Sequence, residues 1–147
     1  MIVNTKYFGE MEVTDDDKIR FPEPLPGFEN FKEFIIIRFY EDTDSILCLQ
    51  SLDDQDLAFV IMNPFYIVEN YTPVLSNEDR AIIKAGDKTP LSFYAIAVVH
   101  DYWQDSTVNL KCPIVFNTEN GLAKQIIMDD TAYSMRHPIA AETRKEV

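Results

Sequence analysis

The sequence contains few residues whose types and spacing are typical of catalysis or metal binding. Its two histidines, His100 and His137, lie far apart and adjoin no nucleophile motif. Cys48 and Cys112 each lie within an apolar run and form no CxxC pair, so both are expected to be buried structural thiols. With only four glycines, the chain has neither a GxGxxG nor a P-loop pattern. No catalytic, metal or cofactor site is therefore predicted.

The run Asp15-Asp16-Asp17 has the composition of a metal site but not its spacing. Consecutive carboxylates cannot all face one ion, and the EF-hand spacing with its glycine is missing. The run is therefore predicted to be a solvated turn between two strands.

The apolar pattern is typical of an all-β protein, because short runs of Ile, Val, Phe and Tyr alternate with polar or Pro/Gly punctuation. Strands are predicted near Ile2–Tyr7, Lys18–Phe21, Glu33–Tyr40, Ile46–Ser51, Leu57–Met62, Leu91–Val99, Val108–Leu110, Ile114–Asn117 and Ala123–Met128. One helix is predicted over about residues 77–85, with Ser76 as its N-cap and Gly86 as the left-handed residue that ends it. The expected fold is mainly β, a single compact antiparallel β-barrel-like domain in which Ile82 and Ile83 of the helix plug one end.

A proline-rich stretch runs from Phe21 to Glu29. Three prolines at alternate positions hold it extended and remove three backbone donors, so it cannot be a central strand. Pro26-Gly27 fits a type II turn. Phe21, Leu25 and Phe28 then project from a stiff loop, which either packs over an opening of the barrel or forms an apolar ridge that contacts a partner.

Negative charge is concentrated in the first half of the chain. Residues 39–79 contain nine acidic residues and no Lys or Arg, whereas the charges of residues 80–147 sum to zero. Six of these acids are candidate contacts for a basic partner, namely Glu41, Asp42, Asp44, Asp53, Asp54 and Asp56. The polar segment 53–56 is predicted to be the solvent-facing tip of a hairpin.

Aromatic residues lie among these carboxylates. Phe65 and Tyr66 follow Asn63-Pro64, and Tyr71 comes shortly after them. Aromatic side chains supply anchors at protein interfaces, while charges steer a basic partner and repel competitors. Phe65 and Tyr71 therefore either contact a partner together with Tyr66 or close the core.

Length and composition indicate one domain, residues 1–139, followed by a polar tail, residues 140–147, that is expected to fray. A net charge of −12 disfavours direct binding to nucleic acid and docking on an anionic membrane. The N-terminus lacks the layout of a signal peptide, and no apolar stretch approaches the roughly 18 residues of a membrane span. The expected location is the cytoplasm.

Several short motifs lie in order along residues 1–139. They are Asn4-Thr5-Lys6-Tyr7, Phe21-Pro22, Leu25-Pro26-Gly27-Phe28-Glu29, Leu49-Gln50-Ser51, Leu57-Ala58-Phe59, Asn63-Pro64-Phe65, Asn109-Leu110, Pro113-Ile114-Val115, Lys124-Gln125 and Arg136-His137-Pro138. Their order and spacing resemble those of the flagellar assembly factor FliW family, although each motif is weak alone. Lys111-Cys112 and the additional Pro24 depart from the family's pattern.

The resemblance implies a small β-barrel-like protein without enzymatic activity or cofactor. Proteins of this family bind the carbon storage regulator CsrA, a dimeric RNA-binding repressor of flagellin translation, and they also bind flagellin, like a chaperone. The two partners exchange: flagellin that accumulates in the cell occupies the protein, and its export releases the protein to capture the repressor, so translation resumes. RNA is excluded from the repressor allosterically rather than by occupation of its site.

The terminal segments of flagellin are amphipathic helices, so the complementary feature here is expected to be an apolar groove. The Phe21–Phe28 loop and Phe65-Tyr66 are the candidates for its rim. Two other classes stay open: a small-molecule-binding or enzymatic β-barrel, and a structural homo-oligomer. A polar interior cavity would favour the first, and self-association in solution would favour the second.

Overall fold

The computed structural model describes residues 1–129 and 132–139. Within these ranges the strands are β1 (Ile2–Asn4), β2 (Glu10–Glu12), β3 (Ile19–Arg20), β4 (Glu33–Arg38), β5 (Ile46–Ser51), β6 (Ala58–Met62), β7 (Leu91–Val98), β8 (Thr107–Val108), β9 (Ile114–Asn117), β10 (Ala123–Gln125) and β11 (His137–Pro138). The α-helix, α1, spans Asn77–Ile82, and single turns of 3₁₀-helix span Asp15–Asp17, Pro64–Tyr66 and Trp103–Asp105. The tail predicted at residues 140–147 lies outside the described residues.

Seven strands form the main path of an antiparallel sheet, in the order β10-β9-β7-β6-β5-β4-β3. The second half of β7 also pairs with β8, which in turn pairs with β11. β1 and β2 form a separate hairpin. Strands β4 to β6 carry apolar residues on both faces because both faces of the sheet are covered. These pairings confirm the mainly-β antiparallel fold with one short helix.

The sheet curves strongly, but a continuous ladder does not close it. Its outer strands β3 and β10 approach through a single bridge between Arg20 and Leu122. Here the Arg20 N–H donates a hydrogen bond to the Gly121 carbonyl oxygen at 2.9 Å. The sheet is thus barrel-like in its curvature and is not a closed barrel.

One face of the curved sheet encloses a core of large apolar side chains. Alternate strand residues point to this face, among them Phe34, Leu49 and Ile61. Phe21 from the proline-rich stretch packs edge-on against Phe34, with ring centroids 5.5 Å apart. Side chains therefore fill the space inside the curve.

The opposite face of the sheet is covered in two halves. The β1–β2 hairpin packs Val3 in a cluster with Ile37 and Cys48. At the end of α1, the fully buried Ile83 belongs to a cluster with Val115. The helix therefore covers this outer face and does not plug the end of a barrel, which corrects the expectation from sequence.

The connections on the two sides of β5 leave the sheet at opposite ends. Residues 52–57 connect β5 to β6 at one end, and residues 39–45 connect β4 to β5 at the other. Because β7 runs antiparallel to β6, residues 99–106, between β7 and β8, leave the sheet at the same end as residues 52–57. The six residues of β5 separate the two ends by about 20 Å.

The helix begins where the sequence predicts but ends early. Ser76 is the N-cap: its Oγ accepts from the Asp79 N–H at 3.0 Å, and the Asp79 carboxylate accepts from the Ser76 N–H at 3.4 Å. This reciprocal capping box fixes the first turn. At the other end Lys84, with φ 55°, adopts the left-handed conformation expected for Gly86. The prediction for Gly86 is therefore wrong, and α1 stops short of residue 85.

The predicted strands are largely confirmed, with β5 and β9 correct at both ends. β1 and β10 are shorter than expected, and two strands, β2 and β11, were not predicted. β2 is a Glu-Met-Glu segment and β11 is a His-Pro pair, so neither has the run of alternating apolar residues that identifies a strand. Both are defined by the strands they pair with rather than by their own residues.

Gly121 provides a test of how the outer strands approach each other. A Cβ at this position would lie 2.9 Å from the Lys18 carbonyl oxygen, and its φ is +78°. We expect Gly121→Ala to lower the free energy of unfolding by about 1–3 kcal/mol, measured by urea denaturation. Gly27→Ala is the control, since Gly27 also has a positive φ but a Cβ there would meet nothing within 4 Å. Equal losses in both variants would show that the close approach has no effect on stability.

Candidate partner-binding site

The acidic hairpin, residues 52–57 between β5 and β6, presents carboxylates at one end of the sheet. Asp53 and Asp56 are exposed and Asp54 is half-buried. The Ser51 hydroxyl accepts from the N–H groups of Asp53 and Asp54 at 3.0 and 3.1 Å. Asp54 Oδ1 accepts from the Asp56 N–H at 2.9 Å. The predicted hairpin is therefore confirmed, and Asp54 shapes the turn from which Asp53 and Asp56 face solvent.

A buried glutamine holds the acidic hairpin in shape. Gln50 is fully buried, and its Oε1 accepts from the Lys6 N–H at 2.9 Å. Its Nε2 lies 3.0–3.3 Å from the carbonyl oxygens of Ser51, Asp54, Gln55 and Leu57. One amide therefore connects the hairpin to the segment after β1. Because every polar atom of this amide has a partner, the hairpin backbone is fixed in one conformation.

The remaining candidate carboxylates lie at the other end of the sheet. Glu41 and Asp42 are exposed, and Asp44 Oδ1 accepts a hydrogen bond from the Tyr66 hydroxyl at 3.2 Å. This hydrogen bond and the charge of Asp44 raise the pKa of Tyr66. The structure therefore divides the six candidate acids into two groups about 20 Å apart and does not join them in one surface.

The three candidate aromatic residues near this second group differ in exposure. Phe65 and Tyr66 are exposed, and the Phe65 ring packs edge-on against Tyr71 with centroids 5.7 Å apart. Tyr71 is buried, and its hydroxyl donates to the Leu110 carbonyl oxygen at 2.6 Å. Burial is the main cause that raises the pKa of Tyr71. The inclusion of Tyr71 among the partner contacts is therefore wrong, since its ring and its hydroxyl are both used inside the fold.

The proline-rich stretch turns its apolar side chains inward. Phe21 and Leu25 are 0% and 2% exposed, so their inclusion in an apolar ridge is wrong. They close the core beside β3, where the curved sheet is open. Phe28 is half-buried and packs edge-on against Phe59 at 5.2 Å between centroids. The Phe28 N–H donates to the Leu25 carbonyl at 2.9 Å and Gly27 has φ 85°, which confirms the type II turn.

A group of three charged side chains fixes the same stretch to α1 and β10. Lys124 Nζ lies 2.6 Å from Asp79 Oδ1 and 3.4 Å from Glu23 Oε2. Burial by itself raises the pKa of Asp79, but hydrogen bonds from Lys124 and Ser76 and the charge of Lys124 reverse this, and the net pKa is lowered. Burial by itself lowers the pKa of Lys124, but the two carboxylates reverse this and raise it. Both members of the mostly buried pair therefore carry charge at neutral pH.

An exposed apolar surface lies at residues that the sequence analysis did not select. Tyr102 and Trp103, between β7 and β8, are 74% and 42% exposed. Beside this connection is an open groove of about 680 Å³. We call it the β7–β8 groove; its walls include Ile96, Val98, Thr107, Asn109, Met135 and Arg136. The sequence feature that indicates this surface is Tyr102-Trp103, a pair of adjacent aromatic residues between polar residues.

The cysteines behave as the sequence predicts. Cys48 and Cys112 are buried and unpaired, and burial raises the pKa of Cys48 to about 11, against the influence of Lys6. Burial also raises the pKa of Cys112. A thiol with a raised pKa is a poor nucleophile at neutral pH. Within residues 1–129 and 132–139, no three His, Cys, Asp or Glu side chains are grouped to hold a metal ion, and no helix is long and apolar enough to cross a membrane.

Fold and surface together define a class: a small antiparallel β protein with a filled interior, a rigid acidic hairpin and an exposed apolar groove. The model of the FliW protein family matches residues 2–139. The chain is 36% identical to the flagellar assembly factor FliW of Ruminiclostridium cellulolyticum, covering 99% of each chain. It is 32% identical to that of Bacillus subtilis, covering 97% of this chain and 99% of the relative.

A solved structure supports the same relationship. The crystal structure of the flagellar assembly factor FliW superposes with a TM-score of 0.87 at 32% identity, covering 95% of this chain and 96% of that one. The chain belongs to the FliW family, and its role is in flagellar assembly.

Gln50→Glu tests the buried amide, because it keeps the acceptor for Lys6 and replaces the donor with oxygen. A carboxylate cannot face four carbonyl oxygens, so we expect the free energy of unfolding to fall by about 2–4 kcal/mol at pH 7. The pKa of the new carboxyl is raised in the folded state, so the loss shrinks as the pH falls toward 4 and the group is protonated. Gln104→Glu, at an exposed glutamine in the β7–β8 connection, is the control. A loss that is small or independent of pH would contradict the role of Gln50.

Asp79→Asn tests the pair with Lys124. Because the folded pKa of Asp79 is lowered, its stabilisation is present above its unfolded pKa of 3.8 and is lost as the pH falls through the folded pKa. Because the folded pKa of Lys124 is raised, the stabilisation that Lys124 contributes is present below its unfolded pKa of 10.5. It is lost as the pH rises through the folded pKa. We therefore expect the variant to be less stable by about 1–3 kcal/mol between pH 5 and about 10, with the gap closing on both sides. A gap that stays constant from pH 3 to 7 in urea titrations would exclude the pair as its cause.

Proposed function

We propose that this protein regulates flagellar assembly by binding two protein partners in turn, the translational repressor CsrA and flagellin, without catalysing a reaction. Flagellin that accumulates in the cytoplasm occupies the protein and leaves the repressor on flagellin messenger RNA. Export of flagellin releases the protein, which then binds the repressor and relieves translation. The observation that carries this proposal is the acidic hairpin, whose carboxylates are exposed on a backbone that Gln50 and Ser51 hold rigid.

The charge of the hairpin supports a basic partner. A repressor that binds RNA must be positively charged where it contacts phosphates, so the exposed carboxylates attract it over a distance of about 10 Å at moderate salt. A rigid hairpin loses little conformational entropy on binding, which favours a fixed docking geometry. Once bound, the negative charge disfavours phosphates close by and lowers RNA affinity without covering the RNA site.

Flagellin, the second proposed partner, binds mainly through apolar contacts rather than through charge. Terminal segments of flagellin are amphipathic helices, which bind through an apolar face to a groove. Exposed apolar side chains at the ends of the sheet, including Phe65, Tyr66, Tyr102 and Trp103, supply surface of that kind. Apolar side chains fill the interior of the sheet, which does not favour the small-molecule or enzymatic alternative.

Neutralising the exposed hairpin carboxylates tests the proposal. In Asp53→Asn/Asp56→Asn, we expect association with purified CsrA to slow at least threefold at low salt and to depend less on ionic strength, because electrostatic steering acts on the association rate. Stopped-flow fluorescence at about 50 and about 300 mM salt measures both effects.

The matched control is Asp16→Asn/Asp87→Asn, which removes the same charge from two exposed carboxylates on two other connections. It should change the association rate less than twofold. If the two double variants behave alike, net charge alone matters and the hairpin is not the docking element. If the native protein binds neither CsrA nor flagellin, the proposed function is wrong.

A further inference from the structure

We infer that the β7–β8 groove is the surface on which flagellin docks, through the apolar face of one of its amphipathic terminal helices. The inference rests on the proposed function and adds to it a location and a contact chemistry. It separates the flagellin contact from the acidic hairpin, which is the contact of the repressor.

The side chains of the groove are of the types found at the centres of protein interfaces. Val98 and Met135 are 53% and 56% exposed on its walls, and Tyr102 and Trp103 stand beside them. Tyrosine, tryptophan, methionine and arginine are enriched at interface cores and among the residues that dominate binding energy. Contiguous exposed apolar surface on a small protein marks a docking site.

The fold does not use these side chains for its own stability. The two faces of the sheet are covered by the clusters around Phe34, Ile37 and Ile83, to which neither Val98 nor Met135 belongs. Met135 precedes β11, the segment that pairs with β8, so the groove has one wall from the strands β7 and β8 and another from residues 135–136. An apolar trough with two walls suits side chains spaced three and four residues apart on a helix.

The groove is also large enough for such a contact. Its volume of about 680 Å³ is within the 300–1,000 Å³ of typical ligand pockets and holds several aliphatic side chains. Because the groove is open to solvent, a helix face can reach its walls.

Charge distinguishes the occupant of the groove from that of the acidic hairpin. The ionisable residues that line the groove include Arg136 and Asp105, which balance each other, and His100. Within the described part of the chain, no carboxylate forms an ion pair with Arg136. A groove without net negative charge does not attract a strongly basic repressor. It fits an apolar helix face bordered by a carboxylate that reaches Arg136.

The test uses the full chain with Val98→Glu and Met135→Glu together, which places two carboxylates on the groove walls at exposed positions. Binding of purified flagellin and of purified CsrA is measured by isothermal titration calorimetry, and thermal melting verifies the fold. We expect flagellin affinity to fall at least tenfold and CsrA affinity to change less than twofold. The matched control is Val74→Glu/Ile127→Glu, which adds the same charge at two other apolar residues, each 65% exposed, and should leave both affinities within twofold.

Arg136→Glu is the second variant, and it changes one exposed side chain without touching the apolar walls. It should weaken flagellin binding at least threefold, which separates the charge contact from any effect on folding. Unchanged flagellin affinity in both groove variants, while the native protein binds flagellin, overturns the groove assignment and leaves the proposed function intact. Loss of CsrA binding assigns the groove to the repressor, and loss of a native homodimer in solution assigns it to a second copy; either result overturns the inference. A native protein that binds neither partner overturns the inference together with the proposed function.

Discussion

The buried amide of Gln50 is the interaction on which the shape of the acidic hairpin depends. The end of β5 must turn within six residues while carrying three aspartates, and the mutual repulsion of these carboxylates opposes a tight turn. Gln50 offsets this by gathering the carbonyl oxygens of the turn around its Nε2. Its Oε1 holds the backbone after β1, so the separate β1–β2 hairpin is joined to the sheet at the same point. The uncharged amide of Gln50 therefore fixes the shape of the charged hairpin above it.

A second constraint comes from the curvature of the sheet. A strongly curved sheet that does not close leaves apolar side chains accessible next to its outer strands, here beside β3 and β10. Phe21 and Leu25 fill that opening, and the Lys124 pair with Asp79 and Glu23 fastens the stretch that carries them. This explains why a stretch with three prolines, which reads as an exposed loop, has two of its apolar residues in the core. The three prolines stiffen the stretch whose apolar side chains cover this part of the core.

The strands could largely be predicted from the sequence, whereas the side chains that face solvent in the loops could not, and both outcomes have physical reasons. β5 and β9 each contain a short apolar run flanked by polar residues or proline, so their bounds could be predicted, whereas β2 and β11 lack such a run and are defined by the strands they pair with. The acidic hairpin could be predicted because Asp53-Asp54-Gln55-Asp56 lies between two apolar runs. The orientation of Phe21, Leu25 and Tyr71 could not, since an apolar residue in a loop has the same local pattern whether it points inward or outward. The division of the acids into two groups follows from the pairing of β5 with both β4 and β6 in alternating directions, which places successive connections at opposite ends of the sheet.

Carboxylates and apolar side chains act on different steps of binding, and their separation on this surface therefore matters. Long-range charge mainly raises the rate at which a basic partner arrives, while buried apolar contacts mainly set how long a partner stays. If the acidic hairpin meets CsrA and the β7–β8 groove meets flagellin, salt and charge control capture of the repressor, and apolar area controls retention of flagellin. The hairpin and the β7–β8 connection leave the sheet at the same end, on either side of β6 and β7. A partner seated on one of these elements therefore lies close to the other. Where the two partners overlap in this space, exchange requires neither a shared contact residue nor a change in the fold.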